Sequence, residues 1–125
     1  MTEISVRYIV DDVDTAVDFY TSQLQFEVTM RPAPGFAMLR RGGLRLLLNA
    51  PGVGGAGRVL ADGSRPEPGG WNRFQLEIDQ LDDTVARLRQ AGVNLRGEVI
   101  AGKGGRQVLV ADPAGNLVEL FEPQP

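Results

Sequence analysis

The chain contains no histidine and no cysteine among its 125 residues. Histidine is the commonest metal ligand and the usual general base near neutral pH. Its absence removes Ser-His-Asp and Cys-His hydrolysis, two-histidine iron centres and zinc sites built on imidazole. The absence of cysteine removes disulfides, thiolate nucleophiles and thiolate metal sites together. No run approaches the roughly 18 apolar residues that cross a bilayer. The opening MTEISVRYIV has neither the basic nor the apolar stretch of a secretion signal, so a cytoplasmic chain with no membrane partner is expected. Positive charge is also short: 13 Lys and Arg against 16 Asp and Glu give a net charge of −3, and no basic cluster marks a nucleic-acid surface. Whatever chemistry the chain performs falls to carboxylates, Arg, Lys, Tyr or Ser.

What is present is enough for one globular domain, with 42% hydrophobic and 23% charged residues. Its main feature is an internal echo. Residues 10–24, VDDVDTAVDFYTSQL, are repeated in kind by residues 78–92, IDQLDDTVARLRQAG. Each copy runs from an apolar strand through an acidic turn into a helix with one apolar stripe. The stripes are Val13, Ala16, Val17, Tyr20 and Leu24 in the first copy and Leu81, Thr84, Val85 and Leu88 in the second, the spacing of a helix lying on a sheet. Asp11 with Asp14, and Asp79 with Asp82, are expected as N-cap and first-turn carboxylates.

Around each helix the pattern predicts strands. The first half reads as strand 3–10, helix, strands 26–31 and 36–40 across a Pro32, Pro34, Gly35 turn, and strand 44–49 after Gly42-Gly43. Residues 51–70 are rich in Gly and Pro without any period and read as a linker or a lid. The second half reads as strand 73–79, helix 81–91, then strands 95–100, 107–111 and 117–121, the last two joined by the Asp112-Pro113-Ala114-Gly115-Asn116 turn. Gly102 to Gly105 lacks the spacing of a phosphate loop and leads into a strand, so it reads as a hairpin turn. The expectation is a single α+β domain over 1–125 made of two paired β-α-β-β-β modules. Module one spans 1–50, the linker 51–70 and module two 71–125, forming a curved sheet around a cleft with helices outside.

The segments VDDVDTAVDFYTSQLQFEV, GGLRLLLN, WNRFQLEID and ADPAGNLVELFEP together resemble the vicinal oxygen chelate superfamily, which includes glyoxalase I, the bleomycin-resistance proteins and the extradiol dioxygenases. The resemblance implies the paired-module fold and a homodimer. It also implies four metal-ligand positions on the first and last strands of each half, which fall here on Ser5, Arg45, Arg73 and Glu119. Of these only Glu119 suits a divalent cation, since guanidinium offers no lone pair. The expectation is therefore no metal and no cofactor. The inherited cavity would be lined by Ser5, Arg7, Arg45, Leu47, Arg73, Gln75, Glu77, Glu119 and Phe121, with Phe36 and Trp71 as aromatic anchors. Arg45 and Arg73 are both expected to approach Glu119.

The resulting reading is a metal-independent binding protein of the glyoxalase and bleomycin-resistance type, with a planar or anionic organic molecule as its partner. The alternative is a lyase or isomerase acting on an anionic substrate, with Glu119 or Glu77 as base and Arg45 or Arg73 stabilising an oxyanion. A plainer alternative makes Arg45, Arg73 and Glu119 a buried ion cluster that binds nothing, and a further one makes the chain a regulatory partner protein.

Overall fold

A computed structural model describes residues 3–125; Met1 and Thr2 of the first module lie outside the described residues. The chain divides between Gly69 and Gly70 into two compact units. Each contains one four-stranded mixed sheet and one helix. An α+β architecture of two β-α-β-β-β units is therefore observed, with the strands in two separate sheets and no closed barrel.

In the first unit the elements are β1 (Ser5–Ile9), α1 (Val13–Gln23), β2 (Glu27–Ala33), β3 (Phe36–Arg41) and β4 (Leu44–Asn49), with sheet order β1-β4-β3-β2. β1 runs parallel to β4 and the other pairs are antiparallel. Side chains alternate across each strand, so Tyr8, Ala37, Leu39, Leu46 and Leu48 are buried on the side where α1 packs against β2, β3 and β4. The helix contributes Val13, Ala16, Val17, Phe19 and Tyr20. Tyr20 is fully buried and meets Phe19 and Phe26 edge-on at 5.0 and 5.5 Å, the arrangement favoured by ring quadrupoles.

The N-cap of α1 is Asp12, one residue later than expected. Its backbone is extended and its carboxylate accepts from the Thr15 N–H at 3.2 Å, three residues on, as capping geometry requires. β2 continues past the expected stop at Arg31 through Pro32 to Ala33, which proline permits because β2 is an edge strand.

The Gly/Pro-rich stretch forms no helix or strand, yet its first part is folded onto this unit. Ala50 donates to the Gly35 carbonyl at 3.0 Å, and the Gly57 N–H donates to the Val53 carbonyl at 3.1 Å. Gly57 is buried, and a methyl there would lie 2.7 Å from the Val53 nitrogen and oxygen, so close backbone packing explains the residue.

The second unit contains β5 (Arg73–Glu77), α2 (Leu81–Gln90), β6 (Asn94–Ala101), β7 (Gly105–Ala111) and β8 (Leu117–Pro123), in the order β5-β8-β7-β6. The topology repeats that of the first unit. Leu81, Val85 and Leu88 face the buried side of the sheet, Phe74, Leu76, Val108, Val110, Val118 and Leu120. In the turn before β8, Asp112 accepts from the Ala114 and Asn116 N–H groups, both at 2.9 Å, which satisfies a buried carboxylate within five residues.

The cap of α2 differs from expectation. Position N-cap is held by Gln80, whose side chain makes no capping bond, and Asp79 is not used. Instead Glu122 on β8 accepts from the Leu81 N–H at 3.0 Å. The same carboxylate takes two bonds from Arg106, at 2.6 and 3.2 Å, and Arg106 also forks onto Asp82 at 3.0 and 3.2 Å. The Arg106 guanidinium, followed by the Leu81 N–H, holds the Glu122 carboxyl below its ordinary value of 4.5. A group with a depressed folded-state pKa adds stability above its unfolded value and loses it as pH falls through the folded one. The urea midpoint should therefore drop as pH falls below about 4.5, and Glu122→Gln should flatten that limb. Parallel acid limbs for both proteins would remove Glu122 as the source.

Candidate functional site

Each unit leaves one sheet face without a helix, and strand parity decides what that face carries. In unit one the cross-strand rows are Ser5–Arg45–Arg40–Glu27, Arg7–Leu47–Met38–Met30 and Ile9–Asn49–Phe36–Ala33. In unit two they are Arg73–Leu117–Ala111–Asn94, Gln75–Glu119–Leu109–Arg96 and Glu77–Phe121–Gln107–Ile100. Every strand residue proposed from the sequence for the cavity lies on one of these two faces. The sequence reading missed Arg40, Asn49 and Arg96. Asn49 had a usable signal, the same strand parity as Arg45. Arg96 did not, because a register irregularity between Arg96 and Ile100 breaks the alternation of β6.

The register also changes one equivalence. Ser5 and Arg73 both lie eight residues before the first residue of their helices. Ser5 is paired with Arg45, whereas Arg73 is paired with Leu117 and Glu119 with Gln75. Counted from those pairs, the unit-one counterpart of Glu119 is Leu47, and Arg45 corresponds to Leu117. Short strands of similar composition concealed this two-residue offset in the sequence.

Glu119 is buried at 9% exposure and its two oxygens are both used inside unit two. Arg73 donates from Nε to Oε1 at 3.1 Å, its Nη2 forms an ion pair with the same oxygen at 3.1 Å, and Gln75 Nε2 donates to Oε2 at 2.6 Å. Such charge-assisted bonds compensate for the loss of water around the carboxylate. Arg73 Nη1 also reaches the Trp71 carbonyl at 3.3 Å. The Trp71 ring is 62% exposed and lies 4.1 Å beneath the Arg96 guanidinium, a cation–π distance. Phe121 is half-buried and Glu77 exposed.

In unit one, Arg45 Nε donates to Ser5 Oγ at 3.0 Å and Arg7 Nε to Asn49 Oδ1 at 2.9 Å. Arg40 pairs with Glu3 at 2.9 Å. Leu47 and Phe36 are half-buried on the same face.

These donors do not fit a chelated cation. Ser5 is a weak neutral donor, Arg45 and Arg73 have no lone pair to give, and neither does Leu47, which holds the place opposite Arg7. Glu119 alone is insufficient for a divalent ion. Among the described residues no group of three or more acidic, histidine or cysteine side chains is placed to hold a metal.

Comparison with known proteins extends the internal evidence. The chain is similar over 98% of its length, and 97% of the other, to a member of the glyoxalase/bleomycin resistance protein/dioxygenase superfamily from Sphaerobacter thermophilus DSM 20745, with 26% identity and a TM-score of 0.77. It shares its fold with a lactoylglutathione lyase from Agrobacterium tumefaciens, at 24% identity and TM-score 0.76, covering 97% of this chain and 92% of that one. It also shares it with TnmS3, an antibiotic binding protein from Streptomyces sp. CB03234, at 23% identity and TM-score 0.73, covering 99% and 97%. No protein of curated function matches in sequence. The family model described as Glyoxalase/Bleomycin resistance protein/Dioxygenase superfamily matches residues 4–120, so with its duplicated β-α-β-β-β units the chain belongs to that superfamily.

Proposed function

We propose that this protein binds a planar or anionic small organic molecule without a metal, as a homodimer, in the manner of the drug-binding members of its superfamily. The observation that carries the reading is the chemistry of the helix-free faces. They present guanidiniums, carboxamides, half-buried apolar side chains and an exposed tryptophan, with a single buried carboxylate at the inherited ligand positions. Each face by itself offers apolar contact and guanidinium donors, that of unit two with the exposed Trp71 in addition, and so can recognise a flat ring by stacking or an anion by hydrogen bonds. An antibiotic binding protein among the structural neighbours supports the binding reading.

The single tryptophan provides the test. In chelator-treated protein, planar aromatic compounds should quench Trp71 with saturation below the millimolar range, and added divalent metal should leave the curves unchanged. Trp71→Phe should abolish the signal while calorimetry still detects binding. A panel that is silent by both methods at millimolar concentration would defeat the reading, as would binding that requires added metal. Sedimentation of the 13.5 kDa chain tests the homodimer, which a monomer mass would exclude.

A further inference from the structure

Resting on that reading, we infer that the oxyanion of the ligand is held in unit one, by Arg7 and Arg45, and not at the Arg73–Glu119 pair. The two units treat their guanidiniums differently. In unit two the Arg73 charge is matched by Glu119, which accepts from its Nε and forms an ion pair with its Nη2. In unit one the corresponding acid is replaced by Leu47, and the guanidiniums of Arg7 and Arg45 are bonded to the neutral acceptors Asn49 and Ser5.

Both of these bonds use Nε. Each therefore fixes the orientation of the side chain without neutralising it, and leaves the terminal Nη groups without an acceptor among the described residues. Asn49, which holds Arg7, is itself buried at 4% exposure, so that anchor is rigid. Planar forks held in place but uncompensated are prepared for a carboxylate, sulfonate or phosphonate, because the ordering cost is met before the ligand arrives.

The strand register adds an independent argument. Arg45 lies directly opposite Arg40 across β3 and β4, and like charges in facing positions repel. Glu3 neutralises Arg40; Glu27, the other acid in that row, is opposite Arg40 and one strand further from Arg45. The face thus carries Arg7, Arg40 and Arg45 against two acids, Glu3 and Glu27, both of them beside Arg40 and neither bonded to Arg7 or Arg45. An arrangement that costs stability in the free protein is expected where a ligand supplies the missing negative charge.

Calorimetric titration with benzoate, benzenesulfonate and inorganic sulfate, each compared with neutral benzamide, tests the assignment. Wild-type protein should bind the anions, and Arg7→Gln and Arg45→Gln should each weaken them at least tenfold. Benzamide should bind these variants as it binds the wild type. Arg45→Lys, which keeps the charge but loses the fork, should fall between. Arg89→Gln, which removes a guanidinium paired with Glu98 on unit two, should change nothing. The melting temperature of Arg45→Gln should equal or exceed that of wild type, because a facing repulsion is relieved; a purely structural arginine would lower it. Equal binding of benzoate and benzamide, or full anion affinity in both Gln variants, would overturn the assignment while leaving small-molecule binding intact. Anion affinity lost in Arg73→Gln alone would move the site to unit two. Silence toward every compound, with Trp71 also unresponsive, would overturn both readings.

Discussion

Replacing Glu119 with alanine is expected to lower the unfolding free energy by about 2–4 kcal/mol, measured as a loss in urea midpoint at unchanged m-value. The carboxylate is 11% exposed in its side chain and accepts bonds from Arg73 and Gln75. Removing it leaves a guanidinium and a carboxamide without this acceptor on β5, next to β8, the strand that packs against α2. Breaking a fully buried pair costs about 3–5 kcal/mol, and Arg73 at 30% side-chain exposure regains part of its hydration, which sets the lower range. The duplication supplies an internal control. Unit one manages the equivalent positions with Ser5 and Leu47, so the double replacement Arg73→Ser with Glu119→Leu should recover most of what Glu119→Leu alone loses. A double variant as unstable as the sum of the singles would mean that the pair is not coupled. A Glu119→Ala loss below about 0.5 kcal/mol would place the carboxylate among surface ion pairs of negligible worth.

Gly105→Ala is expected to cost about 3 kcal/mol or more, and to lower the melting temperature by roughly 10 °C. A Cβ at this position would overlap the carbonyl oxygen of Glu122 and lie 3.0 Å from Pro123 Cα. These are backbone atoms of the facing strand, which no rotamer change can move aside. The glycine also has φ +152, outside the usual range of a residue with a side chain. Relief requires β7 to move away from β8 at the step next to Arg106 and Glu122, the pair that secures the first turn of α2. Amide exchange should accordingly speed up at Leu81 and along the β7–β8 ladder before it does in unit one. The neighbouring Gly104→Ala, whose methyl would meet only the Phe121 ring at 3.7 Å, should stay within about 1 kcal/mol of wild type. Equal effects of the two substitutions would remove the backbone contact as the cause.

Both predictions depend on contacts between residues 16 or more positions apart, and this marks the limit of the sequence. The helices were legible because the apolar stripe 13, 16, 17, 20 and the stripe 81, 85, 88 encode burial at a period that only a helix has. The strands were legible to within two residues for the same kind of reason, alternation at period two between turn residues. Parity alone also placed Ser5, Arg7, Arg45, Leu47, Arg73, Gln75 and Glu119 on the helix-free faces, since a side chain's face in a strand follows from its position in the alternation.

The sequence by itself therefore determined the doubled β-α-β-β-β order, the buried stripes, the exclusion of imidazole and thiolate chemistry, and which residues share a face. Tertiary structure alone decided which residues on those faces meet. It put Leu47 rather than Arg45 in the place equivalent to Glu119, brought Arg96 over Trp71, and gave the cap of α2 to Glu122, 41 residues away. The physical reason is that periodicity is fixed by backbone geometry within a few residues, whereas strand register and long-range ion pairing are fixed only when separate segments compete for the same hydrogen bonds and the same buried space.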